Sequence, residues 1–255
     1  MAGGVLALFA HPDDESLLAG GVLAACAAAG RGVAIVSMSR GERGPTESIG
    51  LDHRPLGEIR EAELQAAARA LGASSAECLD YPDGELAGAD EGQVAQALAA
   101  LLERQRPEAV ISFSEEGLYW HPDHLAVSRI LNEAFELLGS GGARVGIYGA
   151  TWPEGHAARL VSLMRARGLP ADLWGIVPEA FGASAGSITM SLDVSRFLPA
   201  KLAALRCYAS QIGSSHLLSA LPYDLAEEFL GREYFVRLGA EGSRPDWLAE
   251  AVARP

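Results

Sequence analysis

The stretch Gly4–Ser39 reads GVLALFAHPDDESLLAGGVLAACAAAGRGVAIVSMS, and the order of its patterns decides the fold. Gly4–Ala10 is a short unbroken apolar run, the signature of a strand buried on both faces. Acidic residues follow, an opening suited to a helix. Ser16–Ala29 is an uncharged Ala/Leu segment of helical length, closed by Gly30 where a C′ glycine is expected. Val33–Ser39 is a second apolar run. Strand, helix, strand in so short a span predicts a βαβ unit, and therefore a parallel sheet.

The alternation continues outward. The run IREAELQAAARALG predicts a helix stopped by Gly72, ECLDY a short strand, and Val94–Arg104 a third helix. EAVISFS (Glu108–Ser114) predicts a strand, 123–138 a helix, and ARVGIYGA (Ala143–Ala150) a fifth strand. Beyond Ala150 the pattern weakens. It predicts a helix over His156–Arg167, an interrupted stretch over Gly168–Gly186, a strand in SITMSLDV, a helix over Phe197–Tyr208 and a late strand in EYFVRL. The expected class is α/β: a Rossmann-like, doubly wound, mainly parallel sheet with helices on both faces. One domain is expected over 1–255, with 1–150 as the α/β core and 151–255 as an α+β extension packed on it. The polar loop Arg40–Gly57 is long enough to expect a functional role.

Composition narrows the partners. The 255 residues are 49% hydrophobic and 21% charged, which excludes disordered and fibrous chains. A net charge of −13 repels phosphate backbones and anionic lipid, so neither nucleic acid nor a membrane surface is an expected partner. Cys26, Cys78 and Cys207 match no zinc spacing, and read as buried apolar groups in a reducing compartment. No basic segment precedes the uncharged stretch Ser16–Gly30, which follows the acidic HPDDE, so it does not read as a signal peptide and the expected location is the cytoplasm.

In a doubly wound sheet, ligands bind beyond the carboxyl ends of the strands. After the first strand stands His11-Pro12-Asp13-Asp14-Glu15, which lacks the glycines a pyrophosphate needs and suits a cation. After the fourth stands Tyr119-Trp120-His121-Pro122-Asp123-His124. The clusters lie about 110 residues apart, yet the topology brings both to one edge. They supply His11, Asp13, Asp14, His121, Asp123 and His124, a donor set for zinc or another first-row divalent ion. Taken singly, Asp13, Asp14 or Asp123 could be only a helix cap. The coincidence argues otherwise, because three of the six histidines fall in these clusters, each beside carboxylates. His53, His156 and His216 lie outside any such cluster and read as surface or core residues.

The pair AHPDDE and HPDH resembles the LmbE-like, or PIG-L, family of zinc-dependent N-acetylglucosaminyl deacetylases. IREAEL, YPDG (Tyr81–Gly84) and REYF (Arg232–Phe235) extend the resemblance over most of the chain. It implies zinc on His11, Asp14 and His124, with iron(II) fitting the same ligands. It implies Asp13 as general base. His121 would be a protonated partner for the oxyanion or the leaving amine, oriented by Asp123. Arg60 and Asp83 would contact the sugar, and Tyr119 would stand near the oxyanion. The implied substrate is a small N-acetylated amino sugar or its conjugate, and relatives in the family are often homo-oligomers. Trp120 departs from the pattern, since a glycine commonly precedes that histidine. Three other readings use the same donors: an amidase on a larger amide, a non-haem iron(II) oxygenase, and a metal-binding module without catalysis.

Overall fold

In the computed structural model, the described residues are 4–45, 53–238 and 247–253. Chain order is β1 (Gly4–Phe9), α1 (Asp14–Ala28), β2 (Gly32–Ser37), α2 (Leu56–Leu71), β3 (Ser75–Cys78), α3 (Glu91–Gln105) and β4 (Ala109–Phe113). Then come a single turn α4 (Gly117–Trp120), α5 (Pro122–Leu138), β5 (Gly146–Thr151), α6 (His156–Ala166) and β6 (Met190–Asp193). The chain ends in α7 (Leu198–Leu205), α8 (Tyr223–Leu230), β7 (Arg232–Leu238) and α9 (Trp247–Ala253).

The sheet runs β3-β2-β1-β4-β5-β7-β6. β1 through β5 pair in parallel, and β7 joins β5 and β6 antiparallel. From β1 the chain winds one way to β2; from β4 it winds the other way to β5. Right-handed crossovers therefore put α1 and α2 on one face and α3 and α5 on the other. The reversal leaves a crevice between the carboxyl ends of β1 and β4, the topological switch point where such sheets hold ligands. β1 and β4 are buried throughout, as their unbroken apolar runs require.

α1 is buried from Asp14 to Cys26 because α2, α7 and α9 cover what the sheet does not. The C-terminal strands are tied to it by one charged group. Glu233 of β7 accepts the amides of Gly21 (2.7 Å) and Val22 (2.9 Å) and pairs with buried Lys201 of α7 at 2.7 Å. Gly21 is needed there: a Cβ would come within 2.5 Å of Val194.

The doubly wound α/β class matches the sequence reading, with differences at the edges. α1 starts at Asp14 rather than Ser16, and β5 starts at Gly146 because Gly139–Arg144 forms a 3-10 segment. α8 and α9 escaped the reading, being eight and seven residues long. Only Cys26 is fully buried. Cys78 and Cys207 are half-buried, one on the edge strand β3 and one just past α7. Of the loop 40–57, residues 46–52 lie outside the described residues. Among the described residues, no helix is long and apolar enough to cross a membrane.

Candidate metal centre

The crevice gathers both histidine clusters. His11 leaves β1 over the turn Ala10–Asp13, whose Ala10 carbonyl accepts the hydroxyls of Ser39 (3.0 Å) and Ser37 (3.2 Å). Asp13 takes φ 123°, ψ −30°, a region L-residues avoid, and Asp14 opens α1. From the other side, α4 breaks at Leu118 (φ 67°, ψ −51°) before Pro122 starts α5. This lets His121 and His124 face back toward β1.

His11 Nδ1 and His124 Nε2 are 3.2 Å apart. The Asp14 carboxylate straddles them, with Oδ2 3.6 Å from His11 Nδ1 and Oδ1 3.5 Å from His124 Nε2. Ligands on a tetrahedral ion at about 2.0–2.1 Å stand about 3.3 Å apart, so these spacings fit one divalent ion. His124 Nδ1 lies 2.9 Å from the Gly117 carbonyl, which fixes the ring proton there and leaves Nε2 as a lone pair. Its ring stacks on Phe113 with centroids 4.0 Å apart. Burial drives His124 down to about 3, so it stays neutral, as a ligand must. Burial opposes charge on Asp14, yet His124 and His11 outweigh it and hold the carboxyl at about 2. His121 also comes within ligand distance of His11 and His124, and His11 with Asp83 and Asp123 forms a second such group.

Behind His11, Nε2 lies 3.1 Å from Asp83 Oδ1 and 3.4 Å from Asp123 Oδ2, close contacts without hydrogen-bond alignment. Burial disfavours a charged His11 ring, but Asp123, Asp14 and Asp83 reverse the balance and raise its pKa. An imidazole backed by carboxylates is a common support for a metal ligand.

Asp13 stands beside this group and off it. Its amide donates to Glu15 Oε2 (3.1 Å), and Arg60 donates to its Oδ2 (3.0 Å). Burial lifts the Asp13 carboxyl to about 7, against the pull of Arg60. Glu15 is itself buried under Tyr208, whose hydroxyl donates to it at 2.6 Å. Nothing in the sequence pattern marked Tyr208, which reaches the site from just beyond α7.

Three expected residues make contacts that the motifs do not announce, and Arg60 and Asp83 also line the cavity over the group. Arg60 is buried and turned inward, donating to the carbonyls of Pro12 (2.6 Å) and Gly41 (2.9 Å) besides Asp13. Asp83 faces His11 and accepts the Arg43 amide at 2.8 Å. The Asp123 carboxylate does not orient His121. It accepts the amides of Gly84 (2.7 Å) and Leu86 (3.1 Å), because the YPDG turn docks on it. His121 is held by the Asp123 backbone instead, its Nδ1 accepting that amide at 3.2 Å. Tyr119 lines the cavity, packed between Phe181 and His124 with centroids 5.0 Å from each. Burial, then Asp14 and Asp13, push its phenol up, so it remains a donor. A cavity of about 320 Å³ opens over the group, and Trp174, Ile176 and Gln211 also line it. His53 is exposed, His156 bonds the Phe229 carbonyl, and His216 is buried, so all three stay outside the site.

Residues 6–135 match the family described as PIG-L, GlcNAc-PI de-N-acetylase. The 1D-myo-inositol 2-acetamido-2-deoxy-alpha-D-glucopyranoside deacetylase of Thermobispora bispora is 32% identical over 271 residues, 94% of this chain and 90% of its own. The N,N'-diacetylchitobiose deacetylase of Pyrococcus horikoshii superposes with a TM-score of 0.65 at 21% identity, covering 92% of this chain and 83% of that one. The 4-carboxy-2-hydroxymuconate hydratase of Pseudomonas putida KT2440 superposes at 0.64 with 22% identity, covering 96% and 99%. A hydratase and a deacetylase on one scaffold mean that the fold does not choose the reaction.

Proposed function

The chain belongs to the PIG-L family of GlcNAc-PI de-N-acetylases, and from that footing we propose that it is a metal-dependent hydrolase removing the acetyl group from an N-acetylglucosamine-type amino sugar or its conjugate. One observation carries the reading: two neutralisable imidazoles 3.2 Å apart, straddled by an ionised carboxylate, with a second carboxylate of raised pKa alongside.

The residues that would hold the ion are His11, Asp14 and His124, and zinc is the ion proposed from this imidazole-rich set. Bound there, it would acidify a water and polarise the amide carbonyl. The rest belongs to the protein. Asp13 takes the proton of the attacking water and passes it on to the leaving amine. Arg60 holds its Oδ2 at 3.0 Å. His121 serves as a neutral Nε2–H donor toward the developing oxyanion or the leaving nitrogen. Its Nδ1 is taken by the Asp123 amide, and burial, then His11, lower its pKa. Tyr119 adds a second donor from the cavity wall. These roles balance an amide hydrolysis: water supplies a hydroxyl to the acetyl carbon and a proton to the amine.

The test is acetate release by zinc-loaded protein from a panel of N-acetylglucosamine conjugates under anaerobic conditions. Equimolar acetate and free amine are expected. An iron(II) oxygenase would need oxygen, and a binding module would release no acetate; either result sets this reading aside.

A further inference from the structure

The lining of the cavity above the candidate metal centre is of two kinds. Beyond the metal-centre residues, Arg43, Arg60 and Gln211 are its polar members. Arg43 donates to Glu85, Arg60 to Pro12, Gly41 and Asp13, and Gln211 to the Pro45 carbonyl (2.9 Å) and Ser210, while the buried Arg60 Nε has no partner. Leu17, Trp174 and Ile176 form the apolar part of the wall and offer no side-chain donor but the indole N–H.

Trp174 is built into that wall at some cost. Its backbone is left-handed at φ 53°, unfavourable for a bulky residue. The Asp172 carboxylate accepts the Gly175 amide (3.1 Å), and the Leu173 carbonyl accepts that of Ile176 (2.9 Å), which fixes the turn. The indole lies on buried His216 with centroids 4.3 Å apart. Trp120, next in sequence to the lining residues Tyr119 and His121, occupies a second left-handed position, φ 64°, and is 62% exposed. Among the described residues, five non-glycine positions have positive φ. Of these, Asp13, Leu118 and Trp174 line the cavity and Trp120 adjoins it. Backbone strain so concentrated at one cavity marks function rather than accident.

We infer that the group beyond the amino sugar is a flat, apolar aglycone seated on Trp174 and Ile176, and that these two residues set substrate preference. A polyol on this wall would surrender its water without gaining partners, whereas an aromatic ring gains a stacking face. The inference rests on the deacetylase reading above.

The experiment uses N-acetylglucosaminides that differ only in aglycone: methyl, inositol and phenyl. Zinc-loaded protein should turn over the phenyl glycoside with a kcat/KM about tenfold above the other two, chiefly through KM. Trp174→Ala should bring the three within about twofold of one another, and Trp174→Phe should restore the phenyl preference. Ile176→Asp gives a second route to the same loss should Trp174→Ala fail to fold. An inositol or methyl conjugate preferred over phenyl, or a phenyl preference untouched by both substitutions, overturns the inference while leaving deacetylation intact. Acetate from none of the three would instead remove the deacetylase reading, and this inference with it.

Discussion

Asp13 is the residue on which structure and chemistry meet. Its φ of 123° costs about 1–3 kcal/mol, and Glu15 on its amide and Arg60 on its carboxylate keep it there. Asp13→Asn should retain bound zinc, read by elemental analysis, and lose about 10²–10⁴-fold in turnover. His11→Ala should lose the metal itself. Burial lifts the Asp13 carboxyl to about 7, and a bound cation pulls it down again. The base works only when ionised, so kcat/KM should fall as pH drops through an acid limb below pH 7, and a limb absent in wild type would contradict Asp13's role. His216 titrates the other way in stability. Burial lowers it from 6.5 to about 4, so its neutral form supports the fold fully above 6.5 and that support is lost as pH falls toward 4. His216→Asn keeps an acceptor for the Leu218 amide and should move acid unfolding to lower pH, worth up to about 3 kcal/mol at pH 4. The sequence made His11, Asp14 and His124 legible because motif and topology agree on where they stand. It did not show that the YPDG turn takes the Asp123 carboxylate, or that Arg60 also bonds the Gly41 backbone, because neither motif tells which way a side chain turns.

At the scale of elements, the C-terminal part is held to α1 by Glu233, buried with Lys201 and bonded to two amides inside a helix. Removing one partner leaves a buried charge alone, so Glu233→Ala should cost about 3–5 kcal/mol in urea unfolding. A double change, Lys201→Met with Glu233→Gln, should cost less, and equal losses would mean that the pair is not the tie. The strands of the first half were readable because parallel strands buried on both faces spell out unbroken apolar runs. α8 and α9 were not, because such short helices carry about two turns of pattern each. The Trp174 turn was equally silent: strain at a tryptophan leaves no mark in composition.

For the whole molecule, the fold sets the meeting point and the loops set the chemistry. Reversal of winding between β1 and β4 opens a crevice at one sheet edge, and two distant motifs fill it. The most direct test is anomalous diffraction at the zinc edge on crystals of zinc-loaded protein. A single peak about 2.0–2.2 Å from His11 Nδ1, His124 Nε2 and an Asp14 oxygen, with Asp13 left free, is the predicted result. A peak on Asp83 and Asp123, or none within reach of both imidazoles, would contradict it.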